Sequence, residues 1–290
     1  MSVYVSTTYY GDNSKVQDAL DELDKLQIHK IEIGSNHAES TEKIKLRSGS
    51  TYITHNYFPP SDMNFILNIA SNQPAIRDRS IAFMKKSILW CKKNAISHYT
   101  IHPGFLNEAV SQHKSKGGSR DFDLTFVKKS VSHQNRAMVV NRVIKIIESL
   151  NKYAMSNNVR LLVENEGSQT SAESVIFDTM SELERLKNTI GSTFKFNFNL
   201  AHATLSGIDL KNKKTFEFFY KSSEFFEVSE MRGVYDSHLP VFPKRETIGK
   251  LIDLYGPMFK KKNLILEYRN IPSSHLIKSY REIALFLDSL

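Results

Sequence analysis

Glu164 sits directly behind the apolar run Arg160-Leu-Leu-Val163 and is followed by Asn165, Glu166 and Gly167. An acid at the end of an apolar strand is expensive to bury unless a metal or another cation is its partner. The arrangement recurs along the chain. His55 ends Tyr52-Ile-Thr-His55, His102 ends His98-Tyr-Thr-Ile-His102, and Asn199 and His202 follow Phe194-Lys-Phe-Asn-Phe198. Glu227 and Glu230 lie in and after Phe225-Phe-Glu-Val-Ser229, Asp236 and His238 follow, and Glu267 ends Asn263-Leu-Ile-Leu-Glu267. All are metal-ligand or acid/base types. Taken singly, a strand-end His is more often a hydrogen-bonded structural residue, Asp236-Ser-His238 a loop turn, and Glu267 a core ion-pair partner. Taken together, converging on one mouth, they form a metal centre.

Convergence requires a fold that brings strand ends together. Short strands are expected from Val3, Lys30, Tyr52, His98, Arg160, Phe194, Phe225 and Asn263. Helical spacing follows over 15–26, where Val16, Leu20, Leu23 and Leu26 repeat, and over 75–93, 134–157, 171–188, 211–221, 244–259 and 273–288. Phe194, Phe196 and Phe198 alternate with Asn197 and Asn199, the period of a strand with unlike faces. Strand-then-helix units in this number predict an α/β fold, a single (β/α)₈ TIM barrel over 1–290. Catalytic groups then come from the C-terminal ends of the strands. Neither Gly-x-Gly-x-x-Gly nor a Walker A pattern occurs, which argues against dinucleotide and P-loop folds.

Composition sets the outer bounds. With 290 residues, 40% hydrophobic and 24% charged, the chain has ample apolar mass for one large core. Cys91 is the only cysteine, so no internal disulfide forms. The start Met1-Ser-Val-Tyr-Val-Ser6 lacks the basic and apolar run of a signal peptide, and no stretch reaches the ~20 apolar residues of a membrane span. A cytoplasmic protein without membrane association is expected. The formal charge of +8 points to a Lys-rich solvated surface or to anionic partners: nucleic acid, a sugar phosphate or a nucleotide-linked sugar.

Thr100-Ile-His-Pro-Gly104, Val163-Glu-Asn-Glu-Gly167, Asn199-Leu-Ala-His202, Asp236-Ser-His238 and Leu264-Ile-Leu-Glu267 resemble the endonuclease IV and xylose-isomerase-like barrel superfamily, from Ile31 to Leu287. His55 followed by Phe65-Ile-Leu-Asn68 is similar to the nuclease branch, with extra residues between. The resemblance implies three metal subsites. His55, His102 and Glu164 would form one; His202, Asp236 and His238 another. Glu164 and Glu267 would share a central one with an Asp on the sixth strand and a His on the seventh. This chain offers Asn199 and Glu227 there instead. That exchange keeps the net charge but removes the only nitrogen, leaving oxygen donors suited to Mn²⁺ or Mg²⁺, while the flanking triads suit Zn²⁺. Alternatively the central subsite is empty and Asn199 hydrogen-bonds substrate.

The activity implied is that of a divalent-metal sugar or sugar-phosphate isomerase or epimerase. Glu164 and Glu267 would move the proton through an enediolate, aided by His102 or His202. Asn199, Arg269 and Tyr57 would bind substrate, Arg269 as an anion anchor and Tyr57, with Phe58, by stacking on a sugar ring. Two alternatives stand beside this. A zinc-dependent endonuclease at abasic DNA would use the flanking triads and the basic surface. A barrel without catalysis would bind a sugar or a protein. Glu166 and Glu230 are expected behind the ligands, supporting them. Lys114, Lys116, Arg120, Lys128 and Lys129 would make a phosphate-gripping loop after the fourth strand. His98, His113, His133 and His275 are expected at the surface or as caps.

Overall fold

The computed structural model describes residues 2–12, 14–35, 37, 44–60, 66–107, 109–111, 124–126, 133–167 and 174–290, with backbone alone for 109–111, 124–126, 133 and 134. Lys114, Lys116, Arg120, Lys128 and Lys129 of the basic loop, and Phe65, lie outside the described residues.

Eight parallel strands close on themselves: β1 (Ser2–Ser6), β2 (Lys30–Ile33), β3 (Thr51–His55), β4 (His98–Ile101), β5 (Arg160–Glu164), β6 (Lys195–Asn199), β7 (Ser223–Val228) and β8 (Asn263–Leu266). β1 pairs with both β2 and β8, which seals the cylinder. Around it run α1 (Val16–Lys25), α2 (Pro74–Lys93), α3 (His133–Ser156), α4 (Met180–Ile190), α5 (Leu200–Leu205), α6 (Lys213–Ser222), α7 (Ile248–Leu254), α8 (Gly256–Phe259) and α9 (Ser273–Asp288). No described helix is long and apolar enough to cross a membrane.

The period of two explains how each strand serves two environments. One face, including Ile31, Ile33, Tyr99, Ile101, Leu161, Val163, Phe196, Phe198, Phe226, Val228, Leu264 and Leu266, packs outward under the helices in one continuous core. The other faces the barrel axis. There Tyr4, Ile53, Leu162, Phe225 and Ile265 form a separate small cluster, drawn from β1, β3, β5, β7 and β8. Odd strands dominate it, as expected when alternate strands fill one layer of a barrel. Two residues farther along β3, β5, β7 and β8, on the same face, stand His55, Glu164, Glu227 and Glu267. An apolar floor thus underlies the polar layer, and each floor side chain contributes roughly 1.5–3 kcal/mol by its burial.

No described residue between β2 and β3 is helical. The elements differ from expectation in three places. The helix expected over 171–188 starts at Met180, because Val175 bridges to Phe105 and Phe177 takes φ 58°. The helix expected from Lys244 starts at Ile248, Lys244 and Glu246 being left-handed at φ 68° and 47°. Two hairpins also appear, Ala109–Ser111 with Leu124–Phe126 and Glu230–Arg232 with Tyr235–Leu239. In the second, Gly233-Val234 forms a two-residue turn, and Gly233 takes φ 62° as such turns require.

Candidate metal centre

β3, β4 and β5 bring the first cluster together. His55 Nε2 lies 2.9 Å from Glu164 Oε2, His102 Nε2 lies 3.1 Å from the same oxygen, and the two imidazole nitrogens are 3.1 Å apart. Two imidazoles and one carboxylate converge within contact distance, a ligand set that could hold a divalent ion. Tetrahedral Zn²⁺ ligands at about 2.0–2.1 Å stand roughly 3.3 Å from one another, so the three donor atoms need to part only slightly. His102 is turned toward the cluster from behind, its Nδ1 2.7 Å from Glu166 Oε1.

The second cluster joins the end of β6 to the hairpin after β7. His202 Nε2 and His238 Nε2 each lie 2.9 Å from Asp236 Oδ2. His202 Nδ1 lies 2.9 Å from the Asn165 carbonyl, and His238 Nδ1 lies 3.1 Å from the Glu267 carbonyl. In both rings this anchors Nδ1 and leaves Nε2 for a ligand, the usual support of a metal-binding histidine. The β5 and β6 ends are locked to each other: Asn165 Nδ2 donates to the Asn199 carbonyl (3.0 Å) and Asn199 N–H donates to Asn165 Oδ1 (2.8 Å). Gly167 lets the β5 loop pass under α5, since a Cβ there would come 2.0 Å from the His202 carbonyl oxygen.

Between the clusters lie Glu164, Glu227 and Glu267, a buried carboxylate group with metal-ligand spacing. Asn199 stands among them. Its Oδ1 accepts from His202 N–H (3.1 Å), capping α5, so its Nδ2 turns to Glu164 Oε1 (3.0 Å), Glu227 Oε2 (3.3 Å) and Glu267 Oε2 (3.5 Å). Asn197 donates to Glu227 from below and to Thr100 Oγ1 (3.2 Å).

The charges respond to this crowding. Burial alone would discharge the imidazoles. Against it, Glu32 and Glu227 hold His55 well above the ordinary histidine range, and Glu164 and Glu166 do the same for His102. Asp236 and Glu164 raise His202 likewise, and Asp236 with Glu267 lifts His238 to about 10. Glu227 moves upward, by burial and by repulsion from Glu164, Glu267 and Glu32. Glu164 is held well below the carboxylate range against its burial by His102, His202 and His55, and Asp236 likewise by His238 and His202.

Most of the expected site residues therefore meet: His55, His102, Glu164, Asn199, His202, Glu227, Asp236, His238 and Glu267. Three expectations are corrected. Tyr57 does not line the mouth; its ring is buried with Leu67 and Phe83, and its hydroxyl accepts from Leu67 N–H at 2.8 Å. Arg269 is engaged as no anion anchor would be, its Nη2 and Nε lying 2.7 and 3.2 Å from the two oxygens of Asp12. Asn199 turns its amide nitrogen to the acids. Glu230 accepts from Ile248 and Gly249 N–H at 2.7 and 2.8 Å, holding the start of α7 instead of a ligand. Sequence reasoning missed Glu32, which is fully buried on the inner face of β2, 3.7 Å from His55 Nδ1. Its signal was available: an acid inside Lys30-Ile-Glu-Ile33 obeys the same rule as the others.

The family model for the xylose isomerase-like TIM barrel matches residues 27–254. No curated protein matches the chain in sequence. Among solved structures, a D-tagatose 3-epimerase-like protein superposes with TM-score 0.72 at 13% identity, covering 99% of this chain and 97% of that one. An IolI protein with a bound zinc atom gives 0.66 at 12%, covering 100% and 98%. Endonuclease IV from Thermus thermophilus gives 0.60 at 14%, covering all of both chains.

Proposed function

Because the chain belongs to the xylose isomerase-like TIM barrel family, we propose that it is a divalent-metal-dependent isomerase or epimerase of a sugar or sugar phosphate. The observation that carries this reading is the central carboxylate group, Glu164, Glu227 and Glu267, held by the Asn199 amide inside a closed barrel. Enclosed acids of this kind suit transfer of a proton to and from carbon on a small substrate.

His55, His102 and Glu164 would hold one divalent ion and His202, Asp236 and His238 a second. The converging nitrogens and oxygens of each cluster fit such an ion, Zn²⁺ or Mn²⁺. A bound ion would supply polarisation of a carbonyl and its neighbouring hydroxyl. Glu164 and Glu267 would take the proton from the adjacent carbon and return it, passing through an enediolate. His102 and His202 would stand beside Glu164 to steady its charge, each 3.1 Å away. Asn199 would keep Glu164 and Glu267 apart and oriented.

The test is exchange. Metal-loaded protein is incubated in D₂O with a panel of ketoses and ketose phosphates, and deuterium beside the carbonyl is followed by proton NMR. Exchange with at least one sugar is expected, falling roughly 10²–10⁴-fold in Glu164→Gln and Glu267→Gln. No exchange across the panel sinks the reading.

The two complete His/carboxylate clusters also favour a second reading, metal-dependent cleavage of DNA at abasic sites. Nicking of an abasic duplex by the loaded protein would establish it. Failure of both assays in a fully loaded protein would leave a sugar-binding barrel without catalysis.

A further inference from the structure

We propose a third cation site inside the barrel, built from Glu32, Glu227 and Glu267 beside His55 and displaced from the central position the resemblance implies. It rests on the metal-dependent reading above.

The implied position is closed. With Asn199 Oδ1 held by the His202 N–H at 3.1 Å, it is the amide nitrogen that faces Glu164, Glu227 and Glu267. An amide NH₂ offers hydrogens and has no lone pair for a cation.

Deeper in the barrel the reverse holds. Three of the four imidazoles have Nδ1 anchored at 2.7, 2.9 and 3.1 Å, in His102, His202 and His238. The fourth does not. Around His55 Nδ1 stand Glu32 Oε1 at 3.7 Å, Glu267 Oε1 at 3.7 Å and Glu227 Oε1 at 4.0 Å, a ring of acids beyond hydrogen-bond distance. Neither oxygen of Glu32 has a hydrogen-bond partner among the described residues, and its side chain has no exposure to solvent. An ionised carboxylate in that state is very costly unless it coordinates an ion. Glu32, His55 and Glu267 together have metal-ligand spacing.

Charge balance points the same way. Metal-bound imidazoles are neutral. Dications in the two flanking clusters then face six carboxylates, Glu32, Glu164, Glu166, Glu227, Asp236 and Glu267, which leaves two negative charges. One further dication neutralises them. Three carboxylates select a hard ion, Mn²⁺ or Mg²⁺, where the flanking clusters take Zn²⁺.

The experiment counts ions. Stripped protein is loaded with Zn²⁺ and Mn²⁺ together, dialysed, and analysed by plasma emission. About three ions per chain are expected, with Mn²⁺ the minority. Glu32→Gln and Glu227→Gln should each lose the Mn²⁺ and keep both Zn²⁺. Stripped Glu32→Gln should give a single cooperative melt, which confirms that the variant folds. About two ions in the wild type, or Mn²⁺ retained in full by Glu32→Gln, overturns the proposal. So does a Glu32→Gln that weakens Zn²⁺ alone, which would make Glu32 only an orienting partner of His55. A full ion count without turnover on any sugar would instead fault the isomerase reading.

Discussion

Glu166 decides which nitrogen of His102 faces the first cluster. Its 2.7 Å contact at Nδ1 leaves Nε2 beside Glu164 and His55. Glu166→Gln keeps an acceptor but loses the charge, and ion affinity at the first cluster should fall about 10–100-fold. Chelator competition at that cluster measures this, with the His202–Asp236–His238 cluster unchanged as the internal control. Asp236 Oδ2 lies between two imidazoles, 2.9 Å from the Nε2 of each. Asp236→Asn should therefore release one ion per chain to dialysis while the first cluster stays loaded.

At the scale of elements, α5 is only six residues long, too short to persist without tertiary support. It depends on its Asn199 cap and on Gly167 beneath it. Gly167→Ala drives a methyl into the His202 carbonyl and should cost roughly 1–3 kcal/mol. A lowered melting temperature, with weakened ion binding at the second cluster before the first, is the expected pair of results. The barrel floor makes a different prediction. Phe225 packs edge-on to Tyr4 two residues below Glu227. Phe225→Ala should cost about 3–5 kcal/mol in chemical denaturation, a cavity effect independent of ions.

For the whole molecule, the polar layer makes the metal-free protein sensitive at both ends of the pH scale. Glu164 and Asp236 have depressed carboxyls, so their stabilisation is present above the unfolded value of about 4 and is lost as pH falls. His238 is raised to about 10, so its contribution is full below the unfolded value of about 6.5 and fades as pH rises through 10. Raised Glu227 also favours lower pH. Thermal melts in chelator should peak between about pH 4 and 6.5. Added Zn²⁺ should move the optimum upward, because ligating imidazoles must be neutral. A flat pH profile in chelator would contradict the charge network.

The sequence by itself determined the barrel and most of its polar layer. Strands buried on both faces carry a period of two, and an acid or imidazole two residues beyond an axial apolar residue, as in Ile53-x-His55 or Phe225-x-Glu227, keeps the same face wherever the strand goes. It left undecided what depends on partners far along the chain. Arg269 meets Asp12 across 257 positions, Tyr57 turns into a core pocket, and the mixed-polarity hairpin carrying Asp236 and His238 has no clean alternation to announce it. Only the tertiary structure decided that Asn199 gives its oxygen to a helix cap and its nitrogen to three carboxylates. Local sequence fixes which face a side chain takes, but the atoms opposite it belong to strands that meet only when the cylinder closes.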